Sequence, residues 1–480
     1  MPDSSSALPF PYYLCWIAVV FMGWNAWKNR EKAWGIPMLV VIATSCAWYL
    51  LDPLYNGYEG YVSTFGPDIL SAAWWEVLLF LISFMLLVPT MNQKINGNLP
   101  ELTSQIFQSM RSGRIDSDEF QDQVEKLSRS LLIGWCSLMA VAIWRLNFDI
   151  GVLFFPYIVG DLTSPWRRDR VGGGIDSIFA FAIYIQTMFT ALWGVVLALA
   201  KRPMVMTTAA IVYFLAEPFY LFDRTRNTML ATLVPGLLAL VTLRMKGGMI
   251  KRLAVLAAAF AMLNFWFLFV LEIRGVGGSI SEAFKSGAFS NAQQVETEHK
   301  KKHEGFNMFE ELCYINYFTD NGTYKPNWGA RYFAEIVNPI PRVLWPGKPM
   351  IGIDYAIARG MAYGNVDEKS GGVAASFSTG MIGQGVVNFG RILGPIASAF
   401  LMAIWVAVLA RQDLMGRDLG HLLLYAIGLV LTFNMGRDIT LLVIYPFVFG
   451  WLLLSWLNRK KSQIITPPID LKPVQMKKGY

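Results

Sequence analysis

The chain has 480 residues, of which 54% are hydrophobic and only 16% charged, with 17 Trp, 32 Phe and 19 Tyr. A soluble domain carries about a quarter charged residues, so this balance excludes a cytosolic enzyme, a disordered protein and a disulfide-stapled secreted domain. It points to an all-α polytopic membrane protein, and the net charge of +7 reads as the Lys and Arg that cytoplasmic flanks collect, with no nucleic-acid partner expected. Cys15, Cys46 and Cys136 lie in apolar runs and Cys313 in a polar one, which is no disulfide framework.

A spanning helix needs about 20 largely apolar residues. Eleven such runs follow in chain order, at 9–27, 34–51, 69–89, 131–150, 176–200, 203–222, 228–243, 253–271, 392–410, 420–435 and 439–457. The first has no basic residue before it and Lys28, Arg30 and Lys32 after it, the reverse of a signal peptide, so it is expected to remain as a span with its N-terminus outside. Arg145 and Asp149 interrupt the fourth. Between the third and fourth, residues 90–130 carry apolar positions at helical spacing (Ile106, Met110; Phe120, Val124, Leu127) and read as amphipathic helices on the inner leaflet. Residues 272–390, rich in Gly, Pro, Asn and aromatics, form one large exterior loop, too long for a passive connection. The organisation is therefore 1–271 with helices one to eight, 272–390 as the loop, 391–458 with helices nine to eleven, and 459–480 as a basic cytoplasmic tail.

Basic residues test this orientation. Leaving out the long loop, one side collects 22 Lys and Arg and the other seven, so the first is cytoplasmic, with the C-terminus inside. The seven exterior residues are Arg145, Arg167, Arg168, Arg170, Arg224, Arg226 and Arg437, none of them lysine.

Chemistry-bearing motifs are few. No HExxH, CxxC or P-loop pattern is present, and His299, His303 and His421 lack metal-ligand spacing, so neither a metal nor a cofactor is expected. Asp116-Ser117-Asp118 matches the DxD pattern of metal-dependent transferases, but Asp and Ser there read as a helix start. The HKKKH run at 299–303 reads as a solvated turn. The most specific string is NPIPRVLWPGKP, residues 338–349, whose four prolines forbid helix and hold extended and turn conformations. They present Arg342 and Lys348 on a stiff backbone beside Trp345, a set suited to an anionic head group and a sugar ring. The competing reading is a proline-rich loop with a Trp in the interfacial belt.

These motifs resemble the repeat-unit polysaccharide polymerases of bacterial envelopes, the O-antigen (Wzy-type) and enterobacterial-common-antigen polymerases. The resemblance rests on PRVLWPGKP late in a large exterior loop, on STGMIGQGVVNFGRILGP (378–395) leading into a helix, on DRTRNTMLATLVPGLLAL (223–240) and on NMGRDITLL (434–442). Where the family has a small residue before its arginine, this chain has Asp223-Arg224-Thr225, which leaves open whether Arg224 or Arg226 is the counterpart. The resemblance implies a glycosyltransferase of the membrane-embedded GT-C type in a bacterial plasma (inner) membrane. It would move a growing glycan from its polyprenyl diphosphate carrier to another lipid-linked oligosaccharide on the outer face. Donor, acceptor and lipid bilayer are the implied partners, with a chain-length regulator protein left open.

Under that implication the arginine-only exterior acquires a purpose. A metal-free enzyme must neutralise a departing diphosphate with fixed donors, each contributing about 2.7–4 kcal/mol to the transition state. Arginine keeps its charge in a low-dielectric site where lysine can lose it. Arg224, Arg226, Arg342, Lys348 and Arg437 are the candidate diphosphate ligands and Trp345 the candidate sugar contact; the competing reading pairs Arg224 with Asp223 and Arg437 with Asp438 as ordinary surface ion pairs. Transfer to a hydroxyl also calls for a base. Glu217 near the outer end of helix six and Asp354 in the loop are preferred, with Glu76, Glu272, Glu310 and Glu335 as further choices. Two other functions share much of this evidence: an O-antigen ligase, and a flippase or transporter for the lipid-linked unit.

Overall fold

The computed structural model describes residues 8–97, 103–105, 117–154, 165–166, 176–221, 226–245, 248–275, 307–337, 340, 344–349, 353–359, 378–415, 419–439 and 441–464. Among them every extended regular element is a helix, and the one backbone bridge, Lys32 to Thr103, belongs to no strand. Each of the eleven apolar runs overlaps a helix.

The first two runs are α1 (Phe10–Lys28) and α2 (Gly35–Ser45), the latter continued by a π-helical turn (Cys46–Leu50). A short α3 (Asp52–Asn56) leads to α4 (Tyr58–Asn96), followed by α5 (Asp118–Arg145) and α6 (Ile150–Phe154). The next four are α7 (Asp176–Leu199), α8 (Pro203–Leu221), α9 (Arg226–Ala239) with its π-helical end (Leu240–Arg244), and α10 (Met249–Gly275). Residues 272–390 contribute α11 (Met308–Asp320), α12 (Ala330–Val337) and α13 (Ile353–Ala358). The chain ends in α14 (Met381–Leu414), α15 (Leu419–Met435) and α16 (Leu441–Ile464). By length and apolar composition α4, α5 and α14 are long enough to cross a membrane; shorter apolar helices lie at Gly35–Leu50, Ile185–Leu199, Pro203–Ala216, Leu419–Met435 and Val443–Trp456.

The amphipathic segment at 90–130 is described only in part, since Ile106 and Met110 lie outside the described residues. Residues 118–130 do not form a separate surface helix; they are the first half of α5 and run unbroken into the fourth apolar run. Phe120 and Val124 are buried, and the Gln121 side chain bonds the Leu199 carbonyl and the Lys201 amide at the end of α7. The apolar stripe thus meets protein. Ser117 caps the helix by accepting the Phe120 amide at 3.3 Å, with Asp118 and Glu119 in the first turn where the helix dipole favours anions.

Helices α4 and α14 pack along each other at the centre, with α1 and α11 against α4, and α15 beside α14. A second group, α5, α8 and α16 around α7, joins the first through α9 and α15. Both central helices are broken by a glycine with left-handed backbone, Gly66 (φ 78°) before Pro67 and Gly390 (φ 76°) before Arg391. Glycine takes that conformation without the cost a Cβ imposes. In α14 the break is a reversal. Residues 381–389 fold back on 391–399, so that the Ser398 hydroxyl bonds the Met381 carbonyl at 2.7 Å and Gly385 lies on Gly394. A Cβ on Gly385 would sit 2.1 Å from the Gly394 carbonyl oxygen, so only glycine permits this crossing. The result is a re-entrant helical hairpin whose inward arm, Met381 to Asn388, is buried throughout.

The hairpin is pinned where it turns. Arg391 bonds the side chain and carbonyl of Asn316 at 3.0 and 3.1 Å, and pairs with Asp320 at 2.9 Å and with the buried Glu76 of α4 at 3.5 Å. Asn316 also donates to Glu76 at 3.1 Å. The deep carboxylate noted in the sequence therefore has a cationic partner, as a charge inside a span requires. At the other end of α11 the Asp52 carboxylate accepts the Phe309 and Glu310 amides at 2.8 and 3.1 Å, and fixes the start of that helix.

Replacing Gly385 by Ala should cost about 1–3 kcal/mol through overpacking. Gly23→Ala in α1, where nothing lies within 4 Å of the added methyl, should be neutral or stabilising. Thermal unfolding of both variants in detergent, read by circular dichroism, checks this; equal midpoints would contradict the hairpin.

Candidate functional site

The inward arm of the hairpin is a platform with two docked pieces. The turn between α15 and α16 is held from both sides: Gly380 and Met381 donate their amides to the Arg437 and Gly436 carbonyls at 2.9 and 3.1 Å, and the Gln384 side chain bonds both the amide and carbonyl of Ile439 at 2.8 and 3.1 Å. The second piece is α12. Asn327 donates its amide to the Val387 carbonyl at 3.0 Å, and the Asn388 side chain accepts the Tyr332 amide at 3.3 Å.

Between turn and helix lies a buried charge cluster. Arg331 is 3% exposed and Glu335 4% exposed, one helical turn apart on the inner face of α12. The Arg331 guanidinium faces Asp438 at 3.6 Å, and Thr379 donates to the same carboxylate at 3.4 Å. One Glu335 carboxylate oxygen and the Tyr332 hydroxyl are enclosed without a hydrogen-bond partner. Burial and, secondly, the Asp438 charge push Glu335 up to about 8, with Arg331 pulling the other way. Asp438 is raised to about 6, again by burial, against the nearby Arg331 and Arg437 charges. Near neutral pH the cluster thus keeps a proton on Glu335.

Asp354 belongs to the rim of this region. Its carboxylate accepts the Tyr324 hydroxyl at 2.7 Å and the Asn327 amide group at 3.2 Å, and Asn327 is the residue that anchors α12. Arg437 is exposed in the turn and, among the described residues, makes no salt bridge; Asp438 pairs with Arg331 and not with its chain neighbour. Trp345 packs edge-on against Phe333 on the outer face of α12, ring centres 6.3 Å apart, which brings the proline motif to the back of the charged helix. Lys348 is turned inward, its ammonium bonding the Ile340 carbonyl at 2.8 Å, and so braces the motif it was expected to present to an anion.

Arg224, Arg342, the Arg167–Arg170 cluster, Asp116 and the HKKKH run lie outside the described residues. Glu217 and Arg226 are placed as helix backbone only, in α8 and as the first residue of α9. The described site therefore joins Arg437 to Arg331, Glu335 and Asp438, with Asp354 and Trp345 at its margins. Arg331 was missed because an Arg and a Glu four residues apart ordinarily mark a solvated helix face; the signal was that the opposite face, Phe333 and Ile336, is the apolar one. Among the described residues no three His, Cys, Asp or Glu side chains approach as metal ligands would.

The Glu335 proton sets a pH dependence of stability. An unfolded Glu titrates near 4.5. Between there and about 8 the unfolded chain has released a proton that the fold retains, so stability falls as pH rises, by at most about 1.4 kcal/mol per pH unit, and the loss is complete above the folded value. Glu335→Gln should remove this component, and the gap between variant and parent in thermal unfolding should widen from pH 5 to pH 8. Parallel curves would count against a buried, proton-holding Glu335. Comparison of the chain with protein-family profiles, curated proteins and solved structures found no match in any of the three.

Proposed function

We propose that the chain is a metal-independent membrane glycosyltransferase that polymerises polyprenyl-diphosphate-linked oligosaccharide units on the outer face of a bacterial plasma membrane. The observation that carries this reading is Glu335, a buried carboxylate on a helix of the exterior loop, beside a guanidinium and with one oxygen unbonded. We prefer it to Asp354, whose carboxylate is already engaged by two donors; the Glu217 side chain lies outside what the structure describes.

In the proposed step Glu335 accepts the proton of an acceptor sugar hydroxyl, whose oxygen bonds to the anomeric carbon of the donor. The bond from that carbon to the diphosphate oxygen breaks, and its electron pair leaves with the lipid diphosphate. Exposed Arg437 at the rim, together with Arg342 of the proline motif, meets the charge that develops there. Arg331 stays buried and holds Asp438 and Glu335 in place. Trp345 offers a ring face to a sugar at the loop edge.

The test is reconstitution with purified lipid-linked repeat unit in chelated buffer. Longer lipid-linked glycan is expected; transfer only to lipid A core identifies a ligase, and translocation without a new bond identifies a flippase, either of which overturns the proposal. The rate should climb tenfold per pH unit to about pH 8 as Glu335 ionises. Glu335→Gln should lower it about 10²–10⁴-fold, and Arg437→Lys about 10²–10³-fold. Unchanged glycan ladders in both variants would refute the assigned roles.

A further inference from the structure

The polarity of α12 is inverted. Arg331 and Glu335 face inward, whereas Phe333 is 52% and Ile336 65% exposed on the outer side. A helix lying against water places its charges outward and its apolar stripe inward. The same outer side gathers Leu344 and Trp345 from the proline motif, 78% and 36% exposed, and Trp328 at 73%. Trp328 is held out by a left-handed backbone, φ 52°, a conformation a bulky residue adopts only where its surroundings impose it. These five side chains carry no charge, and three aromatic rings among them match the composition of a membrane interface.

Continuity with the bundle surface identifies what covers them. Tyr332 of α12 packs on Phe389 with ring centres 6.1 Å apart, and Gly329 lies against the same ring. Phe389 ends the inward arm of α14. Just beyond it, past the turn at Gly390, Ile392 and Leu393 are 71% and 53% exposed on a helix long and apolar enough to span. The exposed apolar side chains of α12 thus belong to a helix that packs on the turn from which the exposed apolar residues of α14 emerge.

We infer that α12 and the proline motif form an interfacial foot, seated in the outer leaflet of the bilayer through Trp328, Phe333, Ile336, Leu344 and Trp345. This part of the exterior loop is a membrane-embedded element, and its charged face looks up into the site from the lipid surface. The inference stands on exposure and continuity alone and is independent of the proposed transferase activity.

Full-length protein in lipid nanodiscs free of polyprenyl lipids tests it. With the four native cysteines replaced, nitroxide labels at Phe333→Cys and Ile336→Cys should collide with oxygen several-fold more than with a water-soluble nickel chelate. That pattern should match Leu393→Cys and oppose exposed Lys325→Cys. Access dominated by nickel, access to neither reagent (a face covered by protein), or oxygen access appearing only after polyprenyl phosphate is added would each overturn the foot. A second measurement needs no cysteine replacement: lipids brominated near the carbonyl should quench the fluorescence lost in Trp328→Phe/Trp345→Phe. Absence of quenching in that difference would overturn it as well.

Discussion

The contact between Gly385 and Gly394 is the constraint on which the rest of the structure depends. Backbone on backbone, it lets the first arm of α14 fold flat on the second, and so carries a polar stretch of chain down beside a spanning helix. Buried backbone that leaves one helix for another must find partners for its amides and carbonyls. Here it finds them in the α15–α16 turn and in the approach to α12. Every described residue of the charged cluster sits on one of these two docked pieces.

Of the buried carboxylates, Glu76 and Glu335 are set in different surroundings. Asn316 donates to one oxygen of Glu76 and the Arg391 guanidinium stands 3.5 Å from the other, and these contacts tie three helices together. Glu335 shares one guanidinium with Asp438, and an oxygen of its carboxylate stays unbonded. Glu76 and Glu335 each leave one carboxylate oxygen without a hydrogen bond, and Glu335 stands beside a second carboxylate, Asp438, whose charge favours its protonated form.

The helical segments were legible because a long apolar run has few backbone solutions, and each apolar run overlaps a helix, although Tyr58–Asn96, Asp118–Arg145 and Met381–Leu414 begin about ten residues before the expected limits. The capping role of Ser117 was legible for a local reason, since a side chain bonding three residues ahead leaves its mark in sequence. The hairpin was not. Gly385, Gly390 and Gly394 read as a glycine-rich lead into a helix, because closeness between chain segments that run in opposite directions has no periodic signature. The partner of Asp438 was misread on the same account: Arg437 is adjacent in sequence, but a turn points neighbouring side chains apart, and Arg331 arrives from more than a hundred residues away. The bond from the Lys348 ammonium to the Ile340 carbonyl likewise joins two points of a proline-rich loop and leaves no periodic mark in the sequence.

Arg391 follows the reversal at Gly390 directly and grips two other helices. A glycine at such a place ordinarily suggests a swinging joint, but this joint is bolted on its far side to α4 and α11 and cannot swing without breaking the contacts of Arg391 with Glu76, Asn316 and Asp320. Any opening of this region must therefore come from the parts that surround the hairpin, while the hairpin itself stays fixed.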